Sequence, residues 1–337
     1  MTAAEESSNK RIDYIDIAKG IAIISIILGH LSVASINRVV YTFHVPIFYF
    51  ITGYFINDKK SVSVFIKDRA KKLLIPYYIS CVIMIILATI EGALAGDALL
   101  YLQAWTYAAL YASGDTYTEP FYIRAIGAIW FLWALFWGSV FFRITLKYKS
   151  EVRAGTIALL FLLGYFSRSL FWFPLSIQAG ACAALFIYMG YLLRESQLKI
   201  NELPKEVKLF GMGFAFATWI CFIKDYQPFC LVHCGVGRGI VDIFGCMCAC
   251  ACVMIISYII DRKTKYLGKF LAYIGYISLL VLCVHIVELN LFPWLRFVYA
   301  VSPQHPLLVA IIGKLVINIL VSWKLSKNNY IRKLFGF

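Results

Sequence analysis

Of the 337 residues, 61% are hydrophobic and only 15% are charged, a balance that excludes a water-soluble domain and fits a chain threaded repeatedly through a membrane. The net charge of +14 would suggest a nucleic-acid partner in a soluble protein. Here it is distributed as a topology signal, the expected partner is the lipid bilayer, and no nucleic acid is expected.

The N-terminal stretch is polar, and Lys19 leads straight into an apolar run with no small-residue cleavage site, so no cleavable signal peptide is expected. Apolar runs then predict ten spans, at 15–35, 39–56, 75–95, 126–143, 154–172, 177–194, 209–224, 239–260, 270–292 and 306–323. Each is near the ~20 residues that a hydrocarbon core requires. With 1–12 as a cytoplasmic tail, the inner segments hold 25 of the 32 Lys and Arg and the outer segments 6, while Lys314 falls inside the last span. Such a split predicts both termini inside, with 324–337 a second cytoplasmic tail. The stretch 98–112 is short, and counting it as a span would move the later basic clusters outside. It is expected to be a re-entrant or interfacial helix in a long outer loop. The expected fold is therefore an all-α polytopic bundle of about ten transmembrane helices, one domain over 1–337.

Ionisable residues within apolar runs are the candidates for chemistry, because they are costly in hydrocarbon. The first two spans carry His30 and His44, expected at similar depth. Lys19, eleven residues before His30, shares its helix face about 16 Å nearer the inner surface. Each imidazole either fixes helix packing or moves a proton in group transfer. His285 and Glu288 lie three apart on one helix face and read either as a headgroup-wetted pair at a helix end or as part of the site. The basic stretch 67–77, an inner loop with Arg69 and Lys72, serves as a topology signal or as an anion site. Trp130 opens the fourth span, and its bland reading is an aromatic belt. The outer loop 96–125 carries Asp97, Asp115 and Glu119 among aromatic residues, a mixture suited to sugars. Cys246, Cys248, Cys250 and Cys252 alternate and so splay to opposite helix faces, which suits packing rather than a metal site. Cys230 and Cys234 lie in an outer loop where oxidation to a disulfide is possible. No metal is expected.

The order Arg11, Asp16, Lys19-Gly20, then ten residues to His30, resembles the opening of the acyltransferase-3 family of integral membrane proteins. Phe43-His44-Val45-Pro46-Ile47-Phe48-Tyr49-Phe50-Ile51-Thr52-Gly53-Tyr54-Phe55 resembles the second signature of its fucose 4-O-acetylase-like branch, with Thr52 where Ser is commoner. The stretch from Gly275 through Ser278 to His285 is similar to a late signature. Arg69 and Lys72, followed by Leu, Pro and Tyr, match a basic phrase in which Arg is commoner at the second position, and Trp130-Phe131-Leu132 matches another. The resemblance implies a multi-pass bacterial cytoplasmic-membrane enzyme with acyl-CoA, most often acetyl-CoA, as donor substrate and a carbohydrate hydroxyl at the outer face as acceptor. It implies His30 and His44 as catalytic residues and Lys19, Arg69 and Lys72 as donor-binding ones. Arg11, Asp16, Trp130, Ser278, His285 and Glu288 rank second. A competing reading is a polytopic transporter, for which inverted repeats and paired broken helices would be expected; neither is visible in the sequence.

Overall fold

A computed structural model describes residues 13–119 and 121–337; Arg11 and the expected 1–12 tail lie outside the described residues. The chain is helical almost throughout: α1 (Asp13–Gly29), α2 (Ala34–Val40), α3 (Pro46–Phe55), α4 (Val62–Ala95), α5 (Ala98–Tyr111), α6 (Trp130–Thr145), α7 (Ser150–Ser167), α8 (Ile177–Glu202) and α9 (Lys205–Lys224) come first. A small antiparallel hairpin follows, β1 (Phe229–Cys230) with β2 (Gly235–Val236), Phe229 opposite Val236. Then come α10 (Ile240–Lys263), α11 (Lys265–Tyr276), α12 (Ser278–Leu291), α13 (Trp294–Val301), α14 (Pro306–Leu325) and α15 (Asn329–Phe335).

Every predicted span contains helix, but fewer helices can cross unaided. Among the described residues, five are long and apolar enough: α4, α8 with its preceding turn, α9, α10 and α14. A sixth counts if α11 and α12, which meet at 71°, form one broken span. The protein is thus an all-α membrane protein built partly from short and broken helices.

Four expectations are corrected, each for a local reason. The first span stops at Gly29, which leaves His30 in a turn where Ser32 adopts φ 58°. The second is not continuous: residues 41–45 form a turn and α3 begins at Pro46. Pro46 stands at the start of α3, where its missing N–H breaks no helical hydrogen bond. His44 sits in that break. The basic stretch at 67–72 is not a loop but the first part of α4, whose 34 residues span about 50 Å, well beyond a hydrocarbon core of roughly 30 Å. Finally, broken helices are present after all, at 41–45 and at Ile277. Non-helical backbone at membrane depth is tolerated where it lines a cavity, and both breaks flank the site described below. The 98–112 stretch forms α5, 14 residues long. It folds back along α4 after Gly96, which takes φ 88°.

Two helix crossings hold these pieces together by omitting side chains. α1 meets α11 at Gly20 and Gly275, and a Cβ on Gly275 would lie 1.7 Å from the Asp16 carbonyl oxygen. α3 meets α8 at Gly53 and Gly190, where added Cβ atoms would come 1.8 Å from Ile187 O and 1.9 Å from Phe50 O. Such backbone contact is how membrane helices associate without a hydrophobic driving force. Gly275→Ala and Gly190→Ala should each lower the melting temperature in detergent, by overpacking worth about 1–3 kcal/mol. Gly213→Ala, where a Cβ meets nothing within 4 Å, should leave it unchanged. Equal melting temperatures for all three variants would refute these crossings as close contacts.

Candidate active site

The breaks in the helices place His30 and His44 on one cavity of about 270 Å³, lined also by Tyr41, Trp130, Asp115 and His233. His44 is fixed from two sides. Its Nδ1 lies 2.8 Å from the Val40 carbonyl oxygen, and its ring stacks on Tyr41 at 4.7 Å. A carbonyl only accepts, so Nδ1 must be the donor and the lone pair of the neutral ring is left on Nε2. Tyr41 in turn donates to the Gly29 carbonyl at 3.3 Å. Its ring occupies the space that any side chain at Gly29 would need, 2.8 Å from an added Cβ. The residue before His30 is therefore part of the seat of His44.

His285 lies 5.2 Å from His30, ring centre to ring centre, and is fully buried. His30 lines the cavity and His285 does not. Behind His285 runs a hydrogen-bonded chain. Its Nδ1 is 2.9 Å from Glu288 Oε2, Asn318 Nδ2 is 2.9 Å from the same oxygen, and Lys314 Nζ is 2.9 Å from Glu288 Oε1. The Lys314 ammonium also sits 4.5 Å over the Trp294 ring. A carboxylate accepts only, so His285 donates through Nδ1 and carries its lone pair on Nε2, which is buried and unpartnered among the described residues. His285 and Glu288 are thus enclosed rather than wetted by headgroups.

A second cavity of about 250 Å³ lies toward the basic surface, lined by Asp16, Lys19, Arg69, Lys72 and Ser278. Lys19 pairs with Asp16 at 3.3 Å, and the Arg69 guanidinium rests over Phe65 at 5.5 Å. Arg69 and Lys72 share one face of α4, as their spacing predicts. The two cavities have three residues in common, Ile26, Phe131 and Leu282. A neck of apolar side chains is thus all that divides the basic chamber from the histidine chamber.

The family model described as an acyltransferase domain, that of acyltransferase-3, matches residues 12–327. The chain belongs to the acyltransferase-3 family. The nodulation protein NolL of Mesorhizobium japonicum is 28% identical over 152 residues, which cover 41% of this chain and 36% of that protein. The chain therefore matches little more than a third of that relative's length. No solved structure matches the chain. As an acyltransferase of this family, the protein gathers His30, His44 and Trp130 on one chamber and Lys19, Asp16, Arg69, Lys72 and Ser278 on the other, with His285 and Glu288 behind His30. Of the three acidic residues noted in the outer loop, Asp115 lines the histidine chamber. It accepts from His233 Nε2 at 2.9 Å, and the Tyr117 hydroxyl closes the cluster 3.1 Å from His233 Nδ1.

Sequence reasoning passed over His233, Lys314 and Asn318. A signal for the last two was present: Lys314, Asn318 and Ser322 recur every four residues in an otherwise apolar helix, and all three are buried while most of α14 is not. A polar stripe at that spacing on a lipid-facing helix marks the face turned inward. Cys230 and Cys234 are free thiols, Cys234 buried, and the four alternating cysteines of α10 are buried in packing.

Removing one partner of a buried ion pair typically costs about 3–5 kcal/mol, because the other charge is left uncompensated. Lys314→Met and Glu288→Gln should each depress the melting temperature sharply. The double variant should recover much of that stability, yet transfer acyl groups at least ten-fold more slowly than wild type. A double variant as unstable as the singles would show that the two side chains are not coupled.

Proposed function

We infer that the protein is a membrane O-acetyltransferase that moves the acetyl group of cytoplasmic acetyl-CoA to a carbohydrate hydroxyl at the other face of a bacterial cytoplasmic membrane. The acceptor in this reading is a lipid-linked or cell-surface glycan. The observation that carries it is the adjacency of the two chambers, basic on one side of Ile26, Phe131 and Leu282 and histidine-bearing on the other. A CoA nucleotide is polyanionic and stays at the inner surface, where Lys19, Arg69 and Lys72 answer its phosphates or the thioester oxygen. The thin pantetheine arm passes the neck and presents the thioester to His30. The charge distribution supports about ten spans with both termini inside, counting the short and broken helices as crossings.

The chemistry assigned to the residues is an acyl transfer. The acceptor O–H gives its proton to the His30 imidazole, the oxygen bonds to the thioester carbon, the C–S bond breaks, and the proton passes to the departing sulfur. His44, its Nδ1–H spent on Val40, offers Nε2 to orient the incoming hydroxyl. His285 and Glu288 act through His30 as positioning residues, holding its ring from behind. Asp115 and His233 lie where a sugar would enter.

With purified, folded variants, His30→Ala should reduce acetyl transfer by about 10²–10⁴-fold, the usual worth of a general base, and His44→Ala by less. Replacing Arg69 and Lys72 together by Ala should raise the KM for acetyl-CoA and spare kcat. Wild-type turnover in both histidine variants would refute the assignment and favour a transport role for the broken helices.

A further inference from the structure

Residues 329–335 form α15, which lies beyond the 12–327 segment that the family model matches. It begins with Asn328, whose side chain accepts from the backbone of Tyr330 and Ile331, a strong N-cap for so short a helix. It ends at Gly336, in the left-handed region at φ 73°. There the Gly336 and Phe337 amides both donate to the Arg332 carbonyl, at 2.9 and 3.1 Å. That turn sends Phe337 back against Tyr276, ring centres 5.6 Å apart, and Phe335 is buried. Both phenylalanines line the basic chamber. The helix is thus anchored over the chamber's inner end.

Between α15 and the start of α4 lies a further cavity of about 570 Å³, lined by Lys71, Lys72, Lys333, Tyr330 and Asp68. It shares Lys72, Phe335 and Gly336 with the basic chamber, so the two are contiguous around the end of α15. Three lysines face one space. The one carboxylate on the wall, Asp68, pairs with Lys60 and also feels Lys71, so the lysines still outnumber it. Tyr330 is 75% exposed and offers a free aromatic face. Clustered ammonium groups beside such a ring have the chemistry to hold a multiply phosphorylated adenine nucleotide, phosphates on the lysines and base on the ring.

We propose that α15 forms one wall of a nucleotide seat, in which Lys333 with Lys71 and Lys72 binds the phosphates of the acyl donor and Tyr330 covers its adenine. This deepens the donor assignment and rests on acyl-CoA being the donor. Phosphate is also the chemistry of an anionic lipid headgroup, so the experiment separates the two sources. The probe is adenosine 3′,5′-bisphosphate, titrated onto the full chain in nanodiscs of phosphatidylcholine alone and with added phosphatidylglycerol.

The wild type should bind it in both, and Lys333→Glu should weaken binding ten-fold or more. Arg332→Glu makes the same charge change on the same helix but does not line the cavity, and it should stay within two-fold. In turnover, Lys333→Glu should raise the KM for acetyl-CoA with kcat kept. Equal losses in Lys333→Glu and Arg332→Glu would reduce the effect to general surface charge and overturn the seat. So would binding abolished by phosphatidylglycerol, which would make the cavity a lipid site. Failure of the seat is distinct from failure of the function. Acetyl transfer with an unaltered KM in Lys333→Glu overturns the seat alone, and bisphosphate binding without any transfer in the wild type overturns the function alone.

Discussion

The site depends on one ion pair, Lys314 with Glu288, at 2.9 Å between two membrane helices. An unpaired Lys at the centre of a membrane helix costs roughly 2.5–3.5 kcal/mol on insertion scales. At an effective dielectric of about 20, opposite unit charges at this separation attract by about 6 kcal/mol, comparable to the roughly 5–7 kcal/mol that burying both charges costs on that scale. The pair therefore draws α14 onto α12, although α14 is otherwise mostly turned away from the protein. Once Glu288 is held as a carboxylate by Lys314 and Asn318, it can only accept from His285. That single requirement sets the His285 tautomer, in the ring that lies 5.2 Å from His30. A neutral residue at 288 would lose this ordering, and a lysine without its glutamate would not stay buried.

Around that fixed point the fold is arranged to interrupt helices without exposing backbone to lipid. The turn at 41–45 is tied by Trp219 Nε1 to Thr42 at 2.8 Å and by His44 to Val40. The bend at Ile277 follows Gly275, which is locked against α1. Each interruption ends against a tight glycine contact, so local irregularity is bounded by rigid crossings. The result is a pair of chambers with opposite character: three cations near one surface, imidazoles near the other, and apolar side chains where they meet. In the proposed reaction, the anionic donor and the hydroxyl acceptor approach such a pair from opposite sides.

Much of this was legible in the sequence because apolar length and charge are strong signals. Helix was correctly placed in every predicted span, and His30, His44, Lys19, Arg69 and Lys72 all fall on the two chambers. What escaped was where helices stop. Hydropathy does not register a break inside an apolar run, so Pro46 was absorbed into a continuous span, and the bend at Ile277 had no proline to announce it. The charge count treated the Arg69–Lys72 stretch as a loop, because Pro76 follows it; in the structure that proline lies inside α4 and does not end it. The ranking of His285 and Glu288 below the first two histidines reflected spacing along one helix. Their importance comes from Lys314 and Asn318 some thirty residues later, a contact that no local pattern encodes. His233 was missed for a similar reason: an isolated histidine in a loop gains meaning only beside Asp115.

The central claim is that a carboxylate held by Lys314 fixes the proton of His285 on Nδ1 and leaves Nε2, which has no partner among the described residues, unprotonated. Nitrogen-15 magnetic resonance of the protein in lipid, with histidine labelled and His285 assigned by its loss in His285→Gln, reads that tautomer directly. The account predicts a protonated Nδ1 and an unprotonated Nε2, with the proton moving or exchanging between the two nitrogens in Glu288→Gln. A wild-type His285 carrying its proton on Nε2 would contradict it.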